Sequence, residues 1–400
     1  MHTEPIVSSL AIIGLMLAAH APHPVQDPPQ PLKSGVELVL VDAQVVDRKG
    51  EHITGLKPEQ FRVSIDGRSR TVVSAELIDA NTGLPRGGPA SSPARAAMPN
   101  IYVLAVDQGS FRPVNAPSVI YAARELLKRA KPNDYVGMMS FPAPGVVIHP
   151  TRERAQLEAA IPRLVGFSAL KQMRQYQYSL SDAIDVAARD RDALQRVVQR
   201  NCQAGDMLCP TTVEQEMNET ISILELQAAR SLAGLRDVVA GVKGITGRKT
   251  VVVLSAGIPT GDRSGARMYM RSDATQAGKE AAAAGILLYT LHLNSAFLDQ
   301  FSPDAPSVAQ TAMREASVYA RALDVFNGTA GGTFMEVNTS ADSAIDRMMR
   351  ETSAYYLLGV EVQEADRDGQ SHRIQVKVDA RGANVRSRAS FVIPKRSAER

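Results

Sequence analysis

The two ends of the chain alternate hydrophobic and polar residues, with valine and other β-branched residues at many of the hydrophobic positions. This period of two is typical of strands with one buried face. We therefore predict a β segment of three or four strands over residues 35–80, with a turn at Asp66–Gly67, and a second segment of three strands over residues 353–394. Either segment alone would leave an apolar face in water, so both ends of the chain are expected to build one β-sandwich.

The middle of the chain, residues 100–352, has a different pattern. Short and almost wholly apolar runs alternate with stretches whose apolar residues recur at helical spacing. The runs cover residues 101–106, 135–141, 250–256 and 286–293. Buried strands that alternate with helices indicate a doubly wound α/β fold, in which a mostly parallel sheet has helices on both faces. Its ligand crevice is expected at the carboxyl ends of the strands.

A long helical insert is predicted within this domain, over residues 179–242. From Val213 onward, apolar residues recur every three or four positions, and a second helical stretch precedes them. Cys202 and Cys209 lie between the two stretches. We predict an antiparallel helical hairpin that projects from the domain and is closed at its tip. Two or three shorter helices packed in the ordinary way are the alternative.

The first residues of the chain predict export. An apolar stretch at residues 8–21 is shorter than the roughly 20 residues that span a bilayer, and a proline-rich segment follows it. We interpret residues 1–21 as a signal peptide and residues 22–34 as a linker, so the protein is expected to be periplasmic or extracellular. A buried N-terminal helix or an uncleaved anchor is the alternative, and only such an anchor would attach the protein to a membrane. A second linker, rich in Gly, Pro, Ala and Ser, is predicted over residues 81–99.

Charge and motifs exclude two kinds of partner. The 45 Lys and Arg residues nearly balance the 42 Asp and Glu residues. The sequence has no run of five or more basic residues that could bind along a phosphate backbone, so nucleic acid is not an expected partner. The histidines form no HExxH motif and the cysteines no paired CxxC motif, so a zinc site is not expected. In an exported protein, Cys202 and Cys209 are expected to form a disulfide.

Several segments together resemble a known fold family. They are IYVLAVDQGS at 101–110, DYVGMMSF at 134–141, RKTVVVLSAG at 248–257 and GGTFMEV at 331–337. In this order, with a long helical insert, they resemble the von Willebrand factor A (vWA) fold. The flanking segments 41–67 and 355–378 are similar, more specifically, to the exported VWFA-related proteins best known from Acidobacteria. The resemblance covers about residues 35–393.

The resemblance implies a divalent-metal site at the carboxyl ends of the strands. Its hard oxygen ligands would come from an Asp-x-Ser-x-Ser motif, a Thr of a second loop and an Asp of a third loop. Here Asp107 is present, but Gly109 and Phe111 replace the two serines, and Ser110 lies one residue out of register. Ala256 occupies the position of the third-loop carboxylate.

The second loop offers only Ser179 or Ser181. Because a single charged ligand remains, this degenerate site of Asp107 and Ser110 is not expected to bind Mg²⁺ tightly, and no other cofactor is expected. Asp107 is instead predicted to accept hydrogen bonds from backbone N–H groups at the crevice.

These observations favour an exported, non-enzymatic protein-binding or scaffold module. Its expected partner is a protein, with no small-molecule substrate. One alternative is a Mg²⁺-dependent adhesion protein whose variant site combines Asp107 and Ser110 with an acidic residue such as Asp262. A second alternative is an uncharacterised hydrolase. Ser255 ends a strand, but the residues before it lack the Gly that a nucleophile elbow requires, so we predict that the protein is not an enzyme.

Overall fold

The computed structural model describes residues 38–80, 82–86, 100–143, 145–168, 175–245, 247–264, 266–294, 309–338, 340–387, 390–393 and 395. The chain divides into two units, residues 1–36 and 37–400, and every described residue belongs to the second. The predicted signal peptide, the linker at 22–34 and most of the linker at 81–99 lie outside the described residues. Among the helices of the described part, none is long and apolar enough to cross a bilayer.

The described residues contain both strands and helices. The strands are β1 (Leu38–Val46), β2 (Phe61–Ile65), β3 (Arg68–Arg70), β4 (Val72–Asp79), β5 (Asn100–Asp107), β6 (Tyr135–Phe141), β7 (Val147–Thr151), β8 (Arg248–Ser255), β9 (Leu287–Leu293), β10 (Thr333–Val337), β11 (Ala354–Glu361), β12 (Ser371–Val378), β13 (Asn384–Ser387) and β14 (Ser390–Val392). The helices are α1 (Ala116–Arg129), α2 (Arg154–Ala160), α3 (Leu180–Ala187), α4 (Arg191–Asn201), α5 (Cys209–Lys243), α6 (Arg271–Ala283), α7 (Ala309–Ala330) and α8 (Asp342–Thr352).

A six-stranded sheet forms the centre of the α/β region, with the strand order β10-β9-β8-β5-β6-β7. Neighbouring strands are parallel except for β6 and β7, which are antiparallel. Helices α1, α2 and α8 cover one face, and α5, α6 and α7 cover the other, with a separate apolar cluster on each face. Every residue of β5 and β8 is buried, which explains their unbroken apolar runs. The predicted mixed α/β fold with a mostly parallel sheet is therefore confirmed.

Two antiparallel four-stranded sheets combine strands from both ends of the chain. In the first sheet β1 pairs with β11 and β13, and β4 pairs with β11. In the second sheet β12 pairs with β2 and β14, and β2 pairs with β3. One apolar cluster joins the two sheets and includes Val41, Phe61, Tyr356 and Ile374. The two chain ends therefore share one core, in agreement with the expectation from their alternating patterns.

A buried glutamate lies where this pair of sheets meets the α/β region. Glu351 of α8 is fully buried and accepts a hydrogen bond from the Tyr289 hydroxyl of β9 at 2.9 Å. Its carboxylate forms ion pairs with Arg347 of α8, at 2.8 Å, and with Arg386 of β13. The cluster links α8 and β9 of one region to β13 of the other, and removing one partner would leave the other charge buried without a counter-charge.

The helical insert differs from the predicted hairpin. Its first part consists of two helices, α3 and α4, since the chain turns at Arg189, which has a positive φ of 64°. α5 is 35 residues long; its first half packs on α3 and α4, and its second half covers the central sheet. The insert is thus three packed helices. Its second arm is one long helix as predicted, but the first arm is divided at Arg189 and the second half of α5 packs on the sheet, so the prediction of a two-helix hairpin that projects from the domain is wrong in these two respects. Cys202 and Cys209 form the predicted disulfide, which links the end of α4 to the start of α5.

Candidate functional site

Asp107 is the last residue of the central strand β5, so it lies at the carboxyl edge of the parallel strands. Its side chain is fully buried. One carboxylate oxygen, Oδ1, accepts a hydrogen bond from Ser231 Oγ at 2.9 Å, and the other, Oδ2, accepts one from Ser255 Oγ at 2.9 Å. Ser231 comes from α5 and Ser255 from the neighbouring strand β8. The carboxylate therefore joins three elements of the domain through two hydroxyl donors.

Ser110 and the loop after β8 form a second set of contacts beside this carboxylate. Ser110 Oγ donates to the backbone oxygen of Asp107 at 2.8 Å and accepts from the backbone N–H of Ala256 at 2.8 Å. The backbone N–H of Gly257 donates to Ser255 Oγ at 3.1 Å. The structure therefore brings the predicted residues Asp107 and Ser110 together with the loop at 255–257.

Burial dominates the electrostatics of this site. It raises the pKa of Asp107 to about 7, although the hydrogen bonds from Ser231 and Ser255 favour the charged form. Hydroxyl groups carry no net charge, so they offset only part of the cost of burying a carboxylate. Asp107 consequently changes its ionisation near neutral pH.

Gln108, the residue after β5, connects the end of this strand to two neighbouring segments. Its side-chain oxygen accepts from the backbone N–H of Val165 at 2.7 Å, and its amide nitrogen donates to Ser140 Oγ at 3.0 Å. Its backbone oxygen accepts from the N–H of Phe167 at 2.8 Å. These bonds attach the loop at 164–168 to the end of β5.

The residues at this site do not fit a Mg²⁺ site. Asp107 is the sole carboxylate of the set, both of its oxygens already accept hydrogen bonds, and the Ala256 side chain supplies no oxygen. Phe111 packs in the apolar core, and a Cβ atom added at Gly109 would lie 3.0 Å from Pro142 Cδ. In the described part of the chain, no group of three or more His, Cys, Asp or Glu residues could hold a metal ion.

The other residues suggested as ligands have separate roles. Ser179 caps the N-terminus of α3, where its Oγ accepts from the backbone N–H of Asp182 at 3.0 Å, and Ser181 Oγ contacts Ser179 Oγ at 2.9 Å. Asp262 is exposed in the loop after β8. Among these three residues, none shares a hydrogen bond with Asp107 in the structure.

Two residues of this region were not predicted from the sequence. Ser231 is a buried polar residue on the apolar face of α5, between Ala228 and Leu235. The sequence signal that could have identified it is a serine at a position of the helix where the period predicts a buried apolar residue. Asp107 was expected to accept from backbone N–H groups, and the N–H of Gly109 is such a donor. The hydroxyls of Ser231 and Ser255 also donate to it, which the sequence pattern did not directly indicate.

His292 is the second residue. It is buried at the end of β9, level with Ser255 on β8, and its ring stacks on Phe334 with centroids 5.5 Å apart. Burial lowers the pKa of His292 to about 4, so the imidazole is neutral. Ser255 Oγ donates to Asp107, and neither ring nitrogen of His292 hydrogen-bonds to it. The serine–imidazole contact of a hydrolase is therefore not formed between these two residues.

Comparison with known proteins finds similar chains among solved structures. No protein-family model and no curated protein matches the chain. Among solved structures, the vWF domain of the type V pili tip protein Mfa5 from Porphyromonas gingivalis is similar with 10% identity and a TM-score of 0.28, over 63% of this chain and 94% of that chain. A structure of three N-terminal domains of the same tip protein is similar with 9% identity and a TM-score of 0.29, over 77% of this chain and 54% of that chain.

Proposed function

We propose that the chain is an exported, non-enzymatic module with a von Willebrand factor A-like domain, which binds a protein partner or serves as a scaffold. The observation that carries this proposal is the saturation of Asp107 by Ser231 and Ser255 at the place where the resemblance implies a metal. In this interpretation hydroxyl donors from α5 and β8 replace the ion. The site is then a degenerate metal-ion-dependent adhesion site.

The fold and the disulfide support this proposal. A mostly parallel six-stranded sheet, with an antiparallel edge strand and helices on both faces, is compatible with the vWA resemblance of the sequence. A disulfide between Cys202 and Cys209 is typical of oxidising compartments outside the cytosol. The short apolar stretch at residues 8–21 points in the same direction.

The hydroxyl cluster also explains how such a module works without an ion. A bound metal joins the loops at the strand ends; here Asp107 joins β5 to α5 and β8, and Ser110 joins the loops after β5 and β8. The rim of the crevice is therefore held in one conformation before a partner arrives. A preorganised surface loses less conformational freedom on binding.

Calorimetric titration of the purified protein with MgCl₂ and with MnCl₂ tests the metal-independent character of the site. We expect no binding heat above dilution for the wild type and the same result for Asp107→Asn. Binding by the wild type that Asp107→Asn abolishes would overturn the proposal in favour of metal-dependent adhesion. Cross-linking and recovery of the partner from the native envelope fraction tests the binding function itself, and we expect equal recovery with and without EDTA.

A further inference from the structure

Among the described residues, β7 forms one outer edge of the central sheet. β7 is the last strand in the order of the sheet and pairs on one side with β6. The backbone N–H of Ser140 donates to the oxygen of Val146 at 2.8 Å, and Val147 lies opposite Met139. Inward and outward groups alternate along an antiparallel strand, so the N–H and C=O of Val147 point away from β6.

A groove runs beside this edge, between β7 and α2 with the turn that follows it. We call it the β7–α2 groove. Its volume is about 410 Å³. The strand contributes Val146, Val147 and Ile148, and the helical side contributes Gln156, Ala159 and Arg163. The last three recur at the spacing of one helical face, so a helix lies alongside a strand with an open edge.

The lining of the groove combines apolar surface with one positive charge. The side chains of Ile148 and Ala159 contribute apolar surface, whereas Val147 contributes its backbone, because its side chain lies with that of Met139 on the opposite face of the sheet. Arg163 is exposed, and no carboxylate residue lines the groove. In the described part of the chain, no ion pair neutralises Arg163. The groove therefore matches a ligand that has both apolar and polar groups and carries a negative charge.

We propose that the β7–α2 groove binds an extended segment of a partner protein, which adds to β7 as a further strand and places an Asp or Glu side chain on Arg163. The backbone groups of Val147 would supply the main-chain hydrogen bonds. Alternate side chains of the added strand point into the cavity beside Gln156 and Ala159, since side chains alternate along a strand. The carboxylate on Arg163 fixes the register of the segment.

This inference deepens the protein-binding function proposed above, and it rests on that function. It uses a surface made by β7 and α2, whereas the hydroxyl cluster involves β5, α5 and β8. Asp107→Asn should therefore leave binding to the groove unchanged. Metal binding at Asp107 would overturn the proposed function and leave the groove intact, so the two failures are distinguishable.

Selection of random peptides by phage display on the immobilised protein tests the groove. We expect peptides with alternating apolar residues and an Asp or Glu at a fixed position. Arg163→Glu should weaken the binding of the selected peptide about tenfold or more, which is the loss of affinity expected when a charged hydrogen bond is removed. A new selection on Arg163→Glu should replace the acidic position with Lys or Arg. Arg196→Glu makes the same charge change at an exposed position of α4 and should leave the affinity unchanged.

Val147→Pro tests the strand addition, because proline removes the outward N–H and is tolerated at sheet edges. We expect the peptide affinity to fall about tenfold, because one main-chain hydrogen bond between β7 and the peptide is lost. The melting temperature of the protein should be unchanged. Should Val147→Pro unfold, the charge reversal at Arg163 remains decisive. Selected peptides without an acidic position, or equal affinity for Arg163→Glu and Arg196→Glu, would overturn the proposal, and so would a failure to select any peptide.

Discussion

Asp107 and Glu351 are both fully buried carboxylates, yet their surroundings differ. Glu351 lies between two guanidinium groups, those of Arg347 and Arg386, and also accepts from the hydroxyl of Tyr289. Asp107 accepts from uncharged groups, which are the hydroxyls of Ser231 and Ser255 and the backbone N–H of Gly109. The two carboxylates are therefore equally buried, but one has charged partners and the other has uncharged partners.

The two surroundings move the two pKa values in opposite directions. Burial raises the pKa of both groups, but at Glu351 the positive charge and hydrogen bonds of Arg386 outweigh burial and hold its pKa below the usual range. At Asp107 burial dominates and the pKa rises to about 7. Glu351 is thus a permanent ionic contact between two regions. Asp107 is a site whose charge depends on the pH around neutrality.

The largest expected effect is that of Glu351→Gln on stability. The substitution leaves the buried guanidinium of Arg386 without its partner, so the free energy of unfolding should fall by about 3 to 5 kcal/mol, the usual cost of breaking a buried pair. Urea denaturation at pH 7 measures this loss. Glu280→Gln on α6 removes one partner of the exposed pair with Arg236 and should have a much smaller effect. Equal losses for both variants would contradict the contrast drawn here.

Asp107→Asn should change the pH dependence of stability. The folded protein holds a proton on Asp107 up to about pH 7, whereas the unfolded chain loses it near pH 4, so this group lowers stability progressively as the pH rises between these values. Asparagine does not titrate and removes this loss. The stability of the variant relative to the wild type should therefore increase by on the order of 3 kcal/mol from pH 5 to pH 8. Urea denaturation at both pH values measures it, and a constant difference would refute the raised pKa.

Ser231→Ala removes one of the two hydroxyl donors and should cost about 1 to 2 kcal/mol of stability, the typical cost of a buried acceptor that loses its partner. The pKa of Asp107 should rise further, because one of the groups that lower it is absent. Thermal denaturation at pH 8 compares the variant with Ser317→Ala, which removes an exposed helical hydroxyl on α7. A destabilisation no larger than that of Ser317→Ala would show that the hydroxyl does not support the carboxylate.

The smallest expected effect concerns a third cluster, in which a buried histidine contacts two exposed carboxylates. His372 contacts Asp66 at 2.7 Å and Asp368 at 3.0 Å, and the hydrogen bond with Asp66 and the neighbouring carboxylates raise the pKa of His372. A histidine whose pKa is higher in the folded protein than in the unfolded chain stabilises the fold when it is protonated. This stabilisation is complete below the pKa of the unfolded chain, near 6.5, and is lost as the pH rises through the pKa of the folded protein. His372→Gln should therefore lower the melting temperature slightly at pH 5.5 and leave it unchanged at pH 9. An equal loss at both pH values would indicate packing instead.

Sequence patterns predicted the parallel sheet, the pairing of the two chain ends and the Cys202–Cys209 disulfide, because each has a local signal of period, alternation or composition. The resemblance to the vWA fold implied that Asp107 lies at the carboxyl end of a strand, and Asp107 ends β5. Ser231 was missed, since it is 124 residues from Asp107 and comes from a helix that the metal motif does not include. The end of α3 near Arg189 was missed because no Gly or Pro marks it.

A carbon-13 NMR titration of the Asp107 side-chain carboxyl tests the central claim most directly. The resonance is assigned by its absence in Asp107→Asn. The account predicts a midpoint at about pH 7, unchanged by millimolar MgCl₂, because the carboxylate is buried and both oxygens accept from hydroxyls. A midpoint near 4 would contradict the raised pKa, and a midpoint that MgCl₂ lowers would make Asp107 an accessible metal ligand.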